Sequence, residues 1–212
     1  MLKVHGFGRV NKYAHGNTRD LRVLWALEEM GLPYEIVGMD HPNHELDSVA
    51  YRSRNPFGQI PMIDDDGVVI TESGAILLYL ARKTGKLMPR DLAGEAQVIR
   101  WTFAALNSIE VPVLALWFVN INDGKGTKPS QALEGWSTMR LGQLDGWLAD
   151  REFIATGDFT VADIVMTHVL DARTGRELIT PYANILAYCA RCTERPAWKK
   201  TLAAYRARVE AT

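Results

Sequence analysis

The chain has 212 residues, enough for one large domain or two small ones with a sizeable core. Its 47% hydrophobic and 23% charged residues are ordinary for a globular chain. The formal net charge of −1 leaves no electrostatic footprint for nucleic acid or for an anionic membrane surface.

Leu2 to Gly6 reads as a first strand. It begins directly after Met1, with no hydrophobic stretch of the signal-peptide kind, so the expected compartment is the cytoplasm. Gly8 to Asn17 is a polar loop, longer than the usual strand-to-helix connection. Arg19 to Met30 predicts a helix with Leu21, Leu24, Trp25 and Leu27 on its buried face and Gly31 as its stop. Tyr34 to Val37 predicts a second strand, parallel to the first across a helical crossover. His41 to Arg54 is a polar connection with room for a short helix.

Asn55-Pro56 and Gly58 are turn residues. After them Ile60 to Ile63 reads as a short strand, Asp64 to Gly67 as a tight turn and Val68 to Ile70 as the returning strand of a hairpin. Glu72 and Ser73 then open a helix running to about Lys83. Pro61 is the unusual residue, because proline donates nothing to a sheet ladder. A cis bond before it marks a bend, and that bend would turn the Ile60 N–H and C=O outward to pair with an extended peptide. One hairpin later, the helix opened by Glu72 and Ser73 offers unpaired N–H groups to an anion. The two features together suit a small acidic peptide.

Thr84 to Pro89 carries breakers and little periodicity, and reads as a linker. The expected division is residues 1–83, a linker at 84–92 and an all-helical domain at 93–212. Gly94 to Asn120 predicts a long helix bent at Pro112. Its Trp101, Phe103, Trp117 and Phe118 read as core. Val111 to Val119 is its longest apolar run, too short to span a membrane. Asn122 to Pro129 is a surface loop, and Ser130 to Asp150 another helix with Leu133, Leu141, Leu144 and Leu148 inward. Thr160 and Asp163 have capping-box spacing. Pro181 and Pro196 mark two further helix starts. Cys189 and Cys192 form a C-x-x-C far from any first-helix N-terminus, and read as core filling rather than redox or metal ligands.

Asn55-Pro56-Phe57-Gly58-Gln59-Ile60-Pro61, the hairpin, and Glu72-Ser73-Gly74-Ala75-Ile76 with Tyr79-Leu80 together resemble the glutathione-binding half of the cytosolic glutathione transferases. The resemblance covers essentially the whole chain. It implies an α/β, thioredoxin-like N-terminal domain of order β-α-β-α-β-β-α, followed by an all-α domain. It also implies glutathione as co-substrate, no metal, an apolar electrophile and a homodimer. Gln59, Ile60 and Pro61 would hold the tripeptide backbone, and Glu72 and Ser73 its γ-glutamyl end.

Such an enzyme needs a donor aimed at the glutathione sulfur, since only the thiolate attacks. The stretch from Thr18 to Glu29 resembles the Ser-Arg-x-x-Arg-Val-Leu-Trp segment of bacterial and fungal members, which puts the catalytic hydroxyl on Thr18. Asn17, one residue earlier, offers an amide instead. Tyr13 and His15 lie in the preceding loop as further candidates, and Arg19 is a cation suited to a glutathione carboxylate. Asn107, Ser108 and Val111 share a helical face expected to line the pocket for the second substrate. Two other outcomes keep the same scaffold: a non-catalytic glutathione-binding or interaction protein, and a glutathione-dependent isomerase or dehalogenase.

Overall fold

The computed structural model describes residues 1–172 and 174–212. In chain order the elements are β1 (Leu2–Val10), α1 (Asp20–Met30), β2 (Glu35–Asp40), α2 (Val49–Arg52), β3 (Met62–Asp65), β4 (Val68–Thr71) and α3 (Ser73–Thr84). They continue with α4 (Leu92–Phe103), α5 (Val111–Val119), α6 (Lys128–Leu148), α7 (Val161–Asp171), α8 (Ala183–Thr193), α9 (Pro196–Arg208) and β5 (Glu210–Ala211). Two compact units result, one of residues 1–84 with 195–212 and one of residues 85–194. α9 and β5 belong with the first unit.

The first unit is a mixed sheet of order β2-β1-β3-β4. β1 pairs parallel with β2 and antiparallel with β3, and β3 with β4. The β3–β4 hairpin closes on Asp66 and Gly67, both at positive φ (51° and 93°), the left-handed pair that a two-residue hairpin loop requires. Strand β3 therefore starts at Met62, and Ile60 and Pro61 stand before it rather than inside it. Helix α1 packs against α3 and α9, with Trp25 4.7 Å from Trp198 between ring centres. It ends at Gly31, at φ 66°, as expected.

β1 runs four residues beyond the predicted end at Gly6. Its second half gains partners that lie elsewhere in the chain: β2 follows it through a bulge to Arg9, and β5 pairs in parallel with Arg9 and Val10. The loop expected from Gly8 therefore shortens to residues 11–19.

The second unit is helical. α7 is buried from Val161 through Leu170 and packs against α4 and α8, while α5 packs against α6 and α6 against α8. The capping box forms as read. Asp163 accepts hydrogen bonds from Thr160 N (2.8 Å), Thr160 Oγ1 (3.0 Å), Ile154 N (2.8 Å) and Tyr188 Oη (2.9 Å). Cys189 and Cys192 are free thiols in the core, and burial pushes the Cys189 thiol well up, away from reactivity.

The long helix departs from expectation in two ways. Its first irregularity is a π-helical turn over Ala104–Glu110, just ahead of Pro112. Proline lacks an N–H and its ring crowds the carbonyl four residues back, here Ser108, and the wider turn before it makes room. Leu92–Gly124 also runs for 33 residues, leaving helical geometry at Asn122 and Asp123 near its end, with an 18-residue window of mean hydropathy 1.6, so by length and composition it reaches membrane-crossing measure. The sequence reading carries the long helix through Pro112 but weighs only the apolar run Val111 to Val119, and so misses this measure. The same measure fits a core helix, and α4 and α5 pack against α7 and α6. Phe103, Trp117 and Phe118, expected in the core, are exposed (Phe118 by 62%), because the neighbouring helices cover only the Pro112, Val113 and Leu116 side. Leu133 is only half-buried, whereas Leu141, Leu144 and Leu148 point inward as expected.

Candidate functional site

Chain reversal after β4 sets the first half of the site. Glu72 is exposed and left-handed (φ 69°), and α3 starts at Ser73 rather than at Glu72. A non-glycine residue held there is strained, and such residues cluster at binding sites. The turn delivers the first N–H groups of α3, which have no intrahelical acceptors, beside a buried Ser73. The Ser73 hydroxyl accepts from Arg22 Nη1 at 3.2 Å. Arg22 is only 1% exposed, an unusual place for a guanidinium. A carboxylate brought to this helix start meets aligned backbone dipoles and a nearby fixed cation.

A second group of residues fixes the loop before β3. The Ile60–Pro61 bond is cis. Asn55 is buried, and its side chain donates to the Gln59 carbonyl at 2.5 Å. The Tyr51 hydroxyl donates to the same carbonyl at 2.8 Å. Gly58 (φ 61°) completes the turn, where a Cβ would sit 3.0 Å from the Leu46 carbonyl. Gln59 is exposed, while the Ile60 side chain packs with Met39, Leu46, Tyr51 and Met62. Among the described residues, the Ile60 N–H and C=O find no hydrogen-bond partner. The role of Tyr51 was not legible beforehand, since a tyrosine in a short helix carries no local sign of what its hydroxyl reaches.

The third part is the start of α1. Asp20 is fully buried, and its Oδ2 accepts from Phe7 N at 3.0 Å. Gly6 leaves it that space, as a Cβ there would lie 2.8 Å from the same oxygen. Burial raises the Asp20 carboxyl above the ordinary range, against the pull of its hydrogen bonds to Thr18 and Phe7. Thr18 is buried, and its hydroxyl donates to Tyr205 Oη at 2.7 Å.

Asn17 is half-buried, with its N–H on the Ala14 carbonyl (2.9 Å) and Nδ2 3.4 Å from the His15 carbonyl. His15 Nε2 donates to the Val209 carbonyl at 3.0 Å. Tyr13 is 64% exposed, away from the buried groups, and Arg19 is half-buried at the helix cap.

Two contacts join these parts. Arg22 ties the first turn of α1 to Ser73. Phe7 packs on the Tyr51–Ile60 cluster with its side chain while its N–H is held by Asp20. Asn107 and Ser108 lie in the π-helical turn of the second unit and Val111 opens α5; Asn107 and Val111 are exposed and Ser108 half-buried. Among the described residues, no group of three or more His, Cys, Asp or Glu side chains is arranged to hold a metal ion.

Residues 9–82 match the family description "Glutathione S-transferase, N-terminal domain", and residues 107–196 match "Glutathione S-transferase, C-terminal domain". Glutathione S-transferase 3 of Schizosaccharomyces pombe is 32% identical over 200 residues, a region covering 85% of this chain and 81% of that one. The chain belongs to the glutathione S-transferase family. Two solved glutathione transferases share its architecture. One, from Burkholderia graminis, has two glutathione molecules bound per subunit; it is 28% identical with a TM-score of 0.81, covering 95% of this chain and 87% of its own. The other, from Pseudomonas fluorescens Pf-5, also has two glutathione bound, at 25% identity and a TM-score of 0.82, covering 95% and 92%.

Proposed function

We propose that this protein conjugates glutathione to an apolar electrophile, with the tripeptide laid along Gln59 and Ile60, beside Pro61, and its γ-glutamyl carboxylate at Glu72, Ser73 and the N-terminus of α3. The observation that carries this reading is the 3.2 Å contact between Arg22 and Ser73. It brings the helix start suited to a carboxylate next to the helix start suited to a thiolate. The glutathione-bound relatives support the same ligand.

For thiol activation the reading assigns Asn17 rather than Thr18. A hydroxyl has one proton, and the Thr18 hydroxyl is engaged within the fold, 2.7 Å from Tyr205 Oη and hydrogen-bonded to the Asp20 carboxyl. The Asn17 amide carries two N–H donors at the same helix start, where the dipole also favours an anion. A free thiol titrates near about 8.5, and each unit of lowering is worth about 1.4 kcal/mol of preference for the thiolate. The thiol releases its proton to solvent, and the sulfur lone pair then forms the carbon–sulfur bond. Either the electrophile's leaving-group bond breaks meanwhile and its electron pair departs with that group, or an activated π bond opens and the resulting carbanion takes a proton from solvent. Arg19 is assigned to a glutathione carboxylate, and Asn107, Ser108 and Val111 to the electrophile. Two such chains would form the working homodimer, in the cytoplasm.

Exchanging Glu72 and Ser73 together for Ala tests the ligand: retention on immobilised glutathione should be lost, and undiminished retention refutes the site. Asn17→Ala tests the donor. The conjugation rate at neutral pH should fall about ten-fold, the equivalent of one unit of thiol pKa, with glutathione affinity little changed. A second reading, binding without turnover, draws on the internal commitment of the Thr18 hydroxyl. Calorimetric glutathione binding without turnover of any chromogenic electrophile would select it.

A further inference from the structure

The segment 205–212 folds back over residues 7–18. Thr212 N donates to the Val10 carbonyl at 3.0 Å and Lys12 N to the Thr212 carbonyl at 2.8 Å. Arg208 Nη1 donates to the Phe7 carbonyl at 2.6 Å, and His15 Nε2 to the Val209 carbonyl at 3.0 Å. At the centre is Tyr205, 1% exposed, with its ring 5.6 Å from that of His15. Its hydroxyl is hydrogen-bonded to that of Thr18 at 2.7 Å. His15 at its ring and Thr18 at its hydroxyl stand on either side of Asn17 in the chain.

We propose that Tyr205 is a positioning residue for thiol activation: by packing on His15 and hydrogen-bonding to Thr18, its buried side chain holds Asn17, which lies between them, in one orientation at the start of α1. The inference rests on the glutathione transferase reading above. Several observations lead to it. The loop 11–19 is longer than the usual connection, so it needs an anchor to present a side chain reproducibly. Gly16 has φ 81°, a left-handed turn that local sequence alone does not hold. The bridge spans 187 residues of sequence, so it restrains the loop from outside. Burial, with Asp20 nearby, lifts the Tyr205 phenol to about 12, so it stays protonated and acts as a fixed dipole rather than an acid or base.

Tyr205→Phe keeps the ring and removes the oxygen. The readout is the ultraviolet absorbance of the glutathione thiolate in the full-length protein–glutathione complex as pH is raised. The expected result is a midpoint about one unit higher than in the parent, hence about ten-fold less thiolate at pH values below both midpoints, with calorimetric glutathione affinity within about two-fold. Thr18→Val removes the same bridge from its other end and should give the same shift if the first variant folds poorly. Glu210→Ala, which loosens the tail at its exposed ion pair with Arg9, should leave the midpoint where the parent has it. A midpoint unchanged in both bridge variants overturns the proposal, as does an equal shift in Glu210→Ala. If the parent binds no glutathione at all, the functional reading fails by itself. Amide exchange of residues 16–18 then decides the positioning: faster exchange in Tyr205→Phe supports the bridge, and unchanged exchange overturns it.

Discussion

Arg22 Nη1 stands 3.2 Å from Ser73 Oγ with both side chains buried, and this joins α1 to α3 through a charged donor. Removing the acceptor leaves part of a buried guanidinium without its partner, and hydrogen bonds to charged groups are worth about 1.5–3 kcal/mol. Ser73→Ala should lower stability by about 2 kcal/mol, read from the urea midpoint, and weaken glutathione binding in the same variant. Unchanged stability would mean that Arg22 finds another acceptor without cost.

Tyr51 holds the loop that presents Ile60. Tyr51→Phe keeps the ring in its cluster but removes the 2.8 Å bond to the Gln59 carbonyl, leaving Asn55 to hold it alone. A single neutral hydrogen bond contributes about 1 kcal/mol net. The expected result is that loss in stability, with a glutathione dissociation constant raised about two- to five-fold, the equivalent of up to about 1 kcal/mol. Calorimetry checks both, and unaltered affinity would show that the loop is held adequately without the phenol.

Asp163 tests the second unit by itself. It accepts from two backbone N–H groups and two hydroxyls, all around a buried carboxyl. Asp163→Ala strands those donors, so about 4 kcal/mol of destabilisation is expected, at the upper end for single substitutions. Chemical denaturation of the intact chain measures it. A loss below about 1 kcal/mol would mean that water replaces the carboxylate readily.

The Asp65 carboxyl, buried at the end of β3, accepts from Lys83 Nζ and from the Tyr79 hydroxyl, the latter at 2.8 Å. The hydrogen bond from Lys83 is the main cause that holds Asp65 below the ordinary carboxylate range. A depressed carboxyl stabilises the fold above its unfolded pKa, near about 3.9, and loses that contribution as pH falls through its folded value. Lys83, raised by the same bond, keeps its contribution below its own unfolded value and loses it only in strong base. Lys83→Met should therefore melt lower than the parent at pH 6, and the two curves should converge as the pH drops below the carboxylate range. A constant gap across that range would rule out the ion pair as its source.

The sequence by itself determined the features whose causes are local. Asp66-Gly67 set the hairpin turn, Gly31 ended α1, Thr160 and Asp163 made the capping box, and the strand–helix order set the fold. Each of these rests on backbone geometry within about four residues, so the pattern of residue types carries it. Only the tertiary structure decided that β1 runs to Val10, that Asp20 and Arg22 are buried, and that the Thr18 hydroxyl meets that of Tyr205. Those outcomes depend on partners brought from far along the chain, β5 and α9 above all. A donor and an acceptor separated by 187 residues leave no mark on the residues next to either one.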